Sequence, residues 1–248
     1  MRLDNVTVVL HEPRYPENIG AAARACRNMG ARGLVAVRPR NPDREKMLKM
    51  ATHEAADLVE AMPILDSLDE ALAPFQHVVG TTARTGRHRR PTDTPRGLAR
   101  GLAPVLARNR VALLFGSEKW GLSNAALARC QSLVTIPTAG FSSVNLAQSV
   151  MILLYELRLA DGDAAPPLPR LADQRELEGL FAHLAELFEA VGFIHPESPE
   201  HWMANVRRFV GRLQLQAREV RLARGFCRQV LWALGRSGEG RREAAGGR

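Results

Sequence analysis

Five short, mostly apolar runs punctuate the first 140 residues: Val6 to Leu10, Leu34 to Val37, His77 to Thr81, Val111 to Phe115 and Leu133 to Ile136. None shows the strict polar/apolar alternation of a half-exposed strand. Runs of this kind read as strands covered on both faces. Between them, apolar residues recur every three or four positions. These stretches predict helices from Asn18 to Met29, around Arg44–Met50, Ala55–Ala61, Leu68–Ala73 and Leu98–Ala107, and from Ser123 to Cys130. Asn18 and Ser123 are placed to cap their helices, and Gly30 to stop the first. Strand–helix alternation predicts a parallel α/β sheet with helices on both sides. Ligands of such sheets gather beyond the carboxyl ends of the strands. The loops after Leu10, Thr81, Phe115 and Ile136 are therefore expected to share one rim.

The stretch from Leu133 to Arg158 organises this pattern. Pro137 and Gly140 break its strand into a loop. Ser142 and Ser143 then open a predicted helix of about five turns, with Val144, Ala147, Met151, Leu154 and Leu157 on one face. A helix start here would offer free N–H groups and the positive end of the helix dipole to a ligand. A serine N-cap on an ordinary loop is the plainer reading.

Beyond residue 160 the pattern changes. Residues 161–170 read as a linker. Three amphipathic helical patterns follow, carrying Leu177 to Val191, Trp202 to Leu213 and Val220 to Leu234 on their apolar stripes. From Gly235 the chain is Gly, Arg and Glu, a composition that predicts a disordered tail over 235–248. The expected organisation is a 1–160 catalytic-type domain, a 161–170 linker and a 171–234 helical extension.

Charge sharpens this division. The net charge of the 248-residue chain is +8. Residues 201–248 hold eleven arginines against three glutamates, so the remaining 200 residues are balanced. A block of arginine is the footprint of a polyanion binder or, more plainly, a solvated helical surface. Three cysteines, far apart and in no C-x-x-C pair, suggest neither a disulfide framework nor a zinc site. No apolar run approaches a membrane span, and the first residues lack a signal-peptide core. A cytoplasmic protein with no membrane or metal partner is expected.

Several chemistries are excluded by absent motifs. There is no G-x-G-x-x-G after the first strand, no P-loop, no H-E-x-x-H and no G-x-S-x-G. Glu118 follows a strand and could be catalytic, although such a carboxylate more often orders its own loop by accepting backbone N–H bonds. Ser142 and Ser143 have no histidine nearby in sequence, so binding suits them better than nucleophilic attack. In the long loop from Thr82 to Arg96, four arginines (Arg84, Arg87, Arg89 and Arg90) fall within seven residues, and a loop of that length is usually functional or disordered.

Three segments, in order, resemble the motifs of one family. They are Glu17-Asn18-Ile19-Gly20 with Arg24, the Leu114–Leu122 stretch with its G-x-E-x-x-G-L, and Ile136-Pro137 with Ser142 to Ala147. Together they resemble the SpoU branch of the SPOUT RNA 2′-O-methyltransferases. Val79 to Arg84, Gly192-Phe193-Ile194 and the arginine-rich helices are similar to the subfamily that methylates the ribose of cytidine or uridine at nucleotide 32 of tRNA. The resemblance covers about residues 3–234. It implies a Rossmann-like parallel sheet ending in a deep trefoil knot, an exception to the usual absence of knots. It implies S-adenosylmethionine as cofactor, at Thr81, Thr82, Ala83, Gly116, Ile136, Ser142, Ser143 and Val144. It implies catalytic roles for Arg24, Asn18, Glu118, Ser143 and Asn145, and a homodimer that binds tRNA. RNA contacts are expected from Arg84, Arg87, Arg89 and Arg90 in the loop and from Arg207 and Arg208 in the extension. The Pro137–Phe141 loop is about a residue shorter than in a bacterial relative. Methylation of another tRNA or rRNA ribose, and a catalytically silent RNA-binding protein, are the alternative readings.

Overall fold

The computed structural model describes residues 3–83, 93–160, 166–194 and 199–245. Arg84, Arg87, Arg89 and Arg90, residues 161–165 of the expected linker and the last three residues lie outside the described residues. The chain divides into two compact units, 1–170 and 171–248.

Unit 1 is a six-stranded, wholly parallel sheet flanked by helices. Its strands are β1 (Val6–His11), β2 (Gly33–Val37), β3 (Ile64–Leu65), β4 (His77–Thr81), β5 (Val111–Phe115) and β6 (Ser132–Val134), in the spatial order β3-β2-β1-β5-β4-β6. β1 and β5 lie in the centre and are buried at every position. Full burial explains why they read as unbroken apolar runs rather than alternating ones. The two-residue β3 is an addition to the five expected strands, too short to leave a pattern. β6 is shorter than the predicted Leu133–Ile136. Thr135 leaves the ladder because its N–H bonds to the Asp93 carbonyl and its Oγ1 to the Thr82 carbonyl at 2.7 Å.

The segment 133–135 is gripped from two sides. Thr82 N–H donates to the Val134 carbonyl on one flank. On the other, Asp93 N–H donates to the Leu133 carbonyl and receives Thr135 N–H on its own carbonyl. The strand thus runs between the start and the end of the Thr82–Asp93 connection.

The first helix, α1 (Pro16–Met29), begins two residues earlier than predicted. Tyr15 is its N-cap and Pro16 its first residue, a position where proline lacks only an N–H that would be unpaired anyway. Asn18 is therefore inside the first turn rather than the cap, and its side chain is free for other work. Gly30 closes α1 with φ 79°, the left-handed conformation expected of that glycine. α2 (Arg44–Ala51) packs tightly on α1, because a Cβ on Gly20 would lie 2.0 Å from the Met47 carbonyl oxygen. Two short helices, α3 (Ala56–Glu60) and α4 (Leu68–Leu72), precede α5 (Pro95–Leu106). α6 (Asn124–Leu127) is capped by Ser123 as predicted but stops three residues short of Cys130. α7 (Leu146–Leu159) completes the unit. Residues 168 and 169 lie on this unit rather than hanging free. Leu168 N–H bonds to the Pro104 carbonyl, and Asn109 Nδ2 donates to the Pro169 carbonyl at 3.1 Å.

Unit 2 contains α8 (Gln174–Ala190), α9 (Pro199–Gly211) and α10 (Ala217–Ala245). α8 opens with a capping box between Asp173 and Glu176. Leu177, Leu180, Phe181, Val210 and Val220 form a core of their own. Two expectations change here. α10 continues to Ala245 through the segment predicted to be a disordered tail, because extending an existing helix adds a hydrogen bond per residue without a new nucleus. Phe226 and Leu234, assigned to the third stripe, are 66% and 40% exposed, while Cys227 is buried in the register of Val220.

Candidate active site

The carboxyl ends of β4, β5 and β6 open into a cavity of about 260 Å³. Its walls come from Thr81, Thr82 and Ala83 after β4, from Phe115 through Leu122 after β5, and from Ile136 and Ser142 to Val144 after β6. All eight residues expected to bind cofactor line this one cavity. Among the described residues, Glu118 and Lys119 are its only lining groups with an ionisable acid or amine.

Local chemistry shapes each wall. The β5 loop turns back at once: Ser117 and Gly121 form an isolated antiparallel bridge, and Gly121 N–H donates to the Ser117 carbonyl at 2.8 Å. Gly121 has φ 65°, a conformation that favours glycine. A Cβ on Gly116 would lie 2.1 Å from the Gly121 carbonyl carbon and 2.3 Å from Leu122 N. The two glycines of G-x-E-x-x-G-L thus serve different ends, close approach and left-handed φ.

The β6 wall differs from expectation. Ser142 and Ser143 do not open a helix; they lie exposed in the loop and face the cavity. α7 begins at Leu146 and is about four turns long, with Asn145 as its N-cap. Asn145 Oδ1 accepts from Ala147 N–H at 2.9 Å and Gln148 N–H at 3.3 Å. Two of the amides expected to be free for a ligand are therefore satisfied within the chain. A short polar residue competes for the helix start wherever its side chain can reach back to the amides, and Asn145 does so.

Three distant motif residues meet in a single network. Asn18 Nδ2 donates to Glu118 Oε1 at 2.7 Å, and Asn145 Nδ2 donates to Asn18 Oδ1 at 3.0 Å. Glu118 also accepts from the Arg14 and Tyr15 amides, at 2.8 and 3.4 Å. The carboxylate therefore does order a loop, but it is the β1–α1 loop rather than its own. Replacing Glu118 by Ala should leave those two amides and Asn18 without their acceptor. The expected loss is about 1–3 kcal/mol, read calorimetrically as a lowered Tm, with Glu118→Gln retaining more because it keeps an acceptor oxygen.

Arg24 lies on α1, two positions after the buried Ala22, and is itself exposed. Among the described residues it makes no hydrogen bond or ion pair, whereas Arg27, one turn on, is clasped by Asp57. The two extension arginines separate in the same way. Arg207 pairs with both carboxylate oxygens of Glu178 and lies 4.4 Å over the Phe181 ring, so the expected RNA contact is engaged in holding α9 to α8. Arg208 is exposed and, among the described residues, bonds within its own helix, to Asn205 and the Ala204 carbonyl.

The cysteines are poor nucleophiles. Burial pushes the Cys26 and Cys130 thiols up to about 12. Burial also lowers His77 to about 4, which keeps it neutral. No group of His, Cys, Asp and Glu among the described residues could hold a metal ion, and no described helix is long and apolar enough to cross a membrane.

Residues 5–155 match the SpoU rRNA Methylase family. The chain belongs to that family. Residues 175–243 of this SpoU methylase match the C-terminal domain of the tRNA methyltransferase TrmJ. The tRNA (cytidine/uridine/adenosine-2′-O-)-methyltransferase TrmJ of Pseudomonas aeruginosa is 38% identical over 240 residues, covering 90% of this chain and 93% of its own. The crystal structure of TrmJ from Z. mobilis ZM4 superimposes with a TM-score of 0.76 at 29% identity, over 90% of this chain and 98% of that one. The SpoU methyltransferase AviRb from Streptomyces viridochromogenes, in complex with the cofactor AdoMet, has a TM-score of 0.51 at 26% identity, over 64% and 61% of the two chains.

Proposed function

We propose that this chain transfers a methyl group from S-adenosylmethionine to a ribose 2′-hydroxyl of tRNA, at nucleotide 32 of the anticodon loop. The observation that carries the proposal is the convergence of three sequence-distant motifs: Asn18, Glu118 and Asn145 form one network beside one cavity. The likeness to a tRNA 2′-O-methyltransferase over nine-tenths of the chain supports the substrate. The match of the second unit to a tRNA methyltransferase domain favours tRNA over rRNA.

The cavity suits the cofactor of the AviRb complex. Its volume lies near the lower end of small-molecule sites, roughly 300–1,000 Å³. Leu122, Val134, Ile136 and Val144 offer apolar surface for a purine ring, and Gly116, Ala83 and the serines leave room and hydrogen-bonding capacity. When bound, S-adenosylmethionine supplies an activated methyl, so the protein has mainly to align donor and acceptor. Thr81 to Ala83, Gly116, Ile136 and Ser142 to Val144 would hold it. Asn18, Glu118 and Asn145 fix the β1–α1 loop and the start of α7 around the acceptor. Ser143 would hydrogen-bond the ribose. Arg24 would hold a phosphate or ribose oxygen and favour the developing 2′-oxyanion. Arginine stays protonated, which makes it a positioning and electrostatic group rather than a base.

Two structural proposals accompany this reading. The first is the trefoil knot, supported by the grip on residues 133–135 between Thr82 and Asp93. Pairing of two copies would use α7, where Tyr155 and Leu159 are 49% and 54% exposed.

The test is transfer of labelled methyl from S-adenosylmethionine to a tRNA transcript and to the same tRNA with a 2′-deoxy nucleotide 32. Incorporation into the first and not the second is expected. Equal incorporation would overturn the site assignment, and none into either would overturn the activity. Removing residues 171–248 should leave unit 1 folded, since it has its own sheet and core. Affinity for tRNA should fall and its dependence on salt should flatten. An unchanged salt slope would make the arginines of α9 and α10 an ordinary solvated surface.

A further inference from the structure

Unit 1 contains six aromatic residues. Phe75 and Phe115 are buried in its core, and Tyr155 is on α7. The other three belong to the loops that build the candidate active site and have much of their surface in solvent: Tyr15 at 53%, Trp120 at 57% and Phe141 at 82%. Of these, Trp120 lines the cavity itself. Single exposed apolar residues are ordinary, whereas a group of them at a cleft marks a binding surface.

Two of the three are held by the motif network. Tyr15 is the N-cap of α1, and its amide reaches Glu118 Oε1. Trp120 lies two residues after Glu118 and lines the cavity. Its amide donates to Ser117 Oγ at 3.4 Å, inside the turn closed by the Ser117–Gly121 bridge. Lys119 Nζ sits 4.7 Å from the Trp120 ring centroid. The indole is therefore carried on a tight turn with a cation over one face of its ring. Such a ring is suited to a nucleotide, the opposite face for the base and the charge for a phosphate.

Resting on the methyl-transfer reading above, we propose that Trp120 is the stacking platform for the nucleobase of the target nucleotide. A 2′-hydroxyl within a stacked anticodon loop cannot enter a cavity walled by strand ends unless its nucleotide leaves the stack. Leaving costs a few kcal/mol, and stacking on an aromatic side chain returns about 1–3 kcal/mol per base. A platform reads the π face of a base and not its hydrogen-bonding edge. The enzyme would accept pyrimidines and purines at the target position, and its choice of tRNA would come from contacts elsewhere.

The test compares wild type, Trp120→Ala and Trp120→Phe on a full-length tRNA and on the same tRNA with an abasic ribose at the target nucleotide, which keeps the 2′-hydroxyl and the phosphates. On intact tRNA, kcat/KM of Trp120→Ala should fall on the order of 10- to 100-fold, and Trp120→Phe should recover to within about threefold of wild type. On abasic tRNA the three proteins should be alike, since the base they stack is gone. A Trp120→Ala variant equal to wild type on intact tRNA, or one equally impaired on both substrates, would overturn the platform. A second readout does not depend on transfer. In Trp202→Phe/Trp232→Phe protein, Trp120 is the sole indole, and its fluorescence should be quenched by intact tRNA and not by abasic tRNA. Equal quenching would overturn the platform even in an active enzyme. Absence of transfer by wild type, with differential quenching retained, would instead fault the methyl-transfer reading and leave the stacking intact.

Discussion

Arg24→Ala is expected to lose methyl transfer by roughly 10²–10⁴-fold in single-turnover assays, the usual scale for removing a group that stabilises charge or handles a proton in the transition state. The melting temperature and cofactor affinity should stay at wild-type values. The structure separates this expectation from an ordinary surface mutation. Arg24 is exposed and, among the described residues, holds no partner, so its removal breaks nothing in the fold. Arg27 is the natural control. It is bound to Asp57 across α1 and α3 with both side chains well exposed, 43% and 68%, and solvent screens such a pair strongly. Arg27→Ala should cost a little stability and leave transfer unchanged. An Arg24→Ala enzyme within about threefold of wild type at saturating tRNA and S-adenosylmethionine would return Arg24 to the surface.

Gly116→Ala should abolish cofactor binding, with a loss of roughly 10²-fold or more in affinity by calorimetry. The added methyl would meet Gly121 C at 2.1 Å, Leu122 N at 2.3 Å and Gly121 O at 2.4 Å. All three are backbone atoms, which cannot swing aside as a side chain can. The Ser117–Gly121 turn must open, and that turn is a wall of the cavity. Overpacking of this kind typically costs about 1–3 kcal/mol of stability as well. Gly101→Ala gives the opposite sign. Gly101 lies in α5 with nothing within 4 Å of its would-be Cβ, so the change should raise stability by about 0.4–1 kcal/mol and leave binding untouched. Equal cofactor affinity in Gly116→Ala and wild type would remove the turn from the site.

The sheet was legible where burial is complete. β1, β4 and β5 were read to within a residue because a strand covered on both faces leaves a run that no surface element imitates. β3 was not, since two residues carry no period. Helix starts were read less well, and for one reason: Asn18 and Asn145 are equally plausible caps in a sequence, and only tertiary contacts decide. Pro16 takes the start of α1 and releases Asn18 to join Glu118 to Asn145, while Asn145 itself takes the start of α7 from the two serines. Gly116, Ile136 and Ser142 to Val144 were legible through their order in the motifs, and Thr81 to Ala83 through the similar Val79–Arg84 segment, not through any local property of Ile136 or Ala83. The contacts of Arg207 with Glu178 and the Phe181 ring were not legible, because a charge count cannot see them. The exposed Trp120 at the cavity was missed altogether, since nothing in the sequence around it separates a surface indole from a buried one.

The grip on residues 133–135 also dictates an order of assembly. A strand that must bond Thr82 on one flank and Asp93 on the other cannot be seated until both flanks are in place. Closing such non-local pairings is slow, because chain entropy is lost before the contacts repay it. The cavity walls after β6 follow directly from that seating, so the pocket exists only in molecules that have completed it. Ligand present during folding therefore stabilises the finished form alone and acts as a latch on the last step rather than as a guide through the earlier ones.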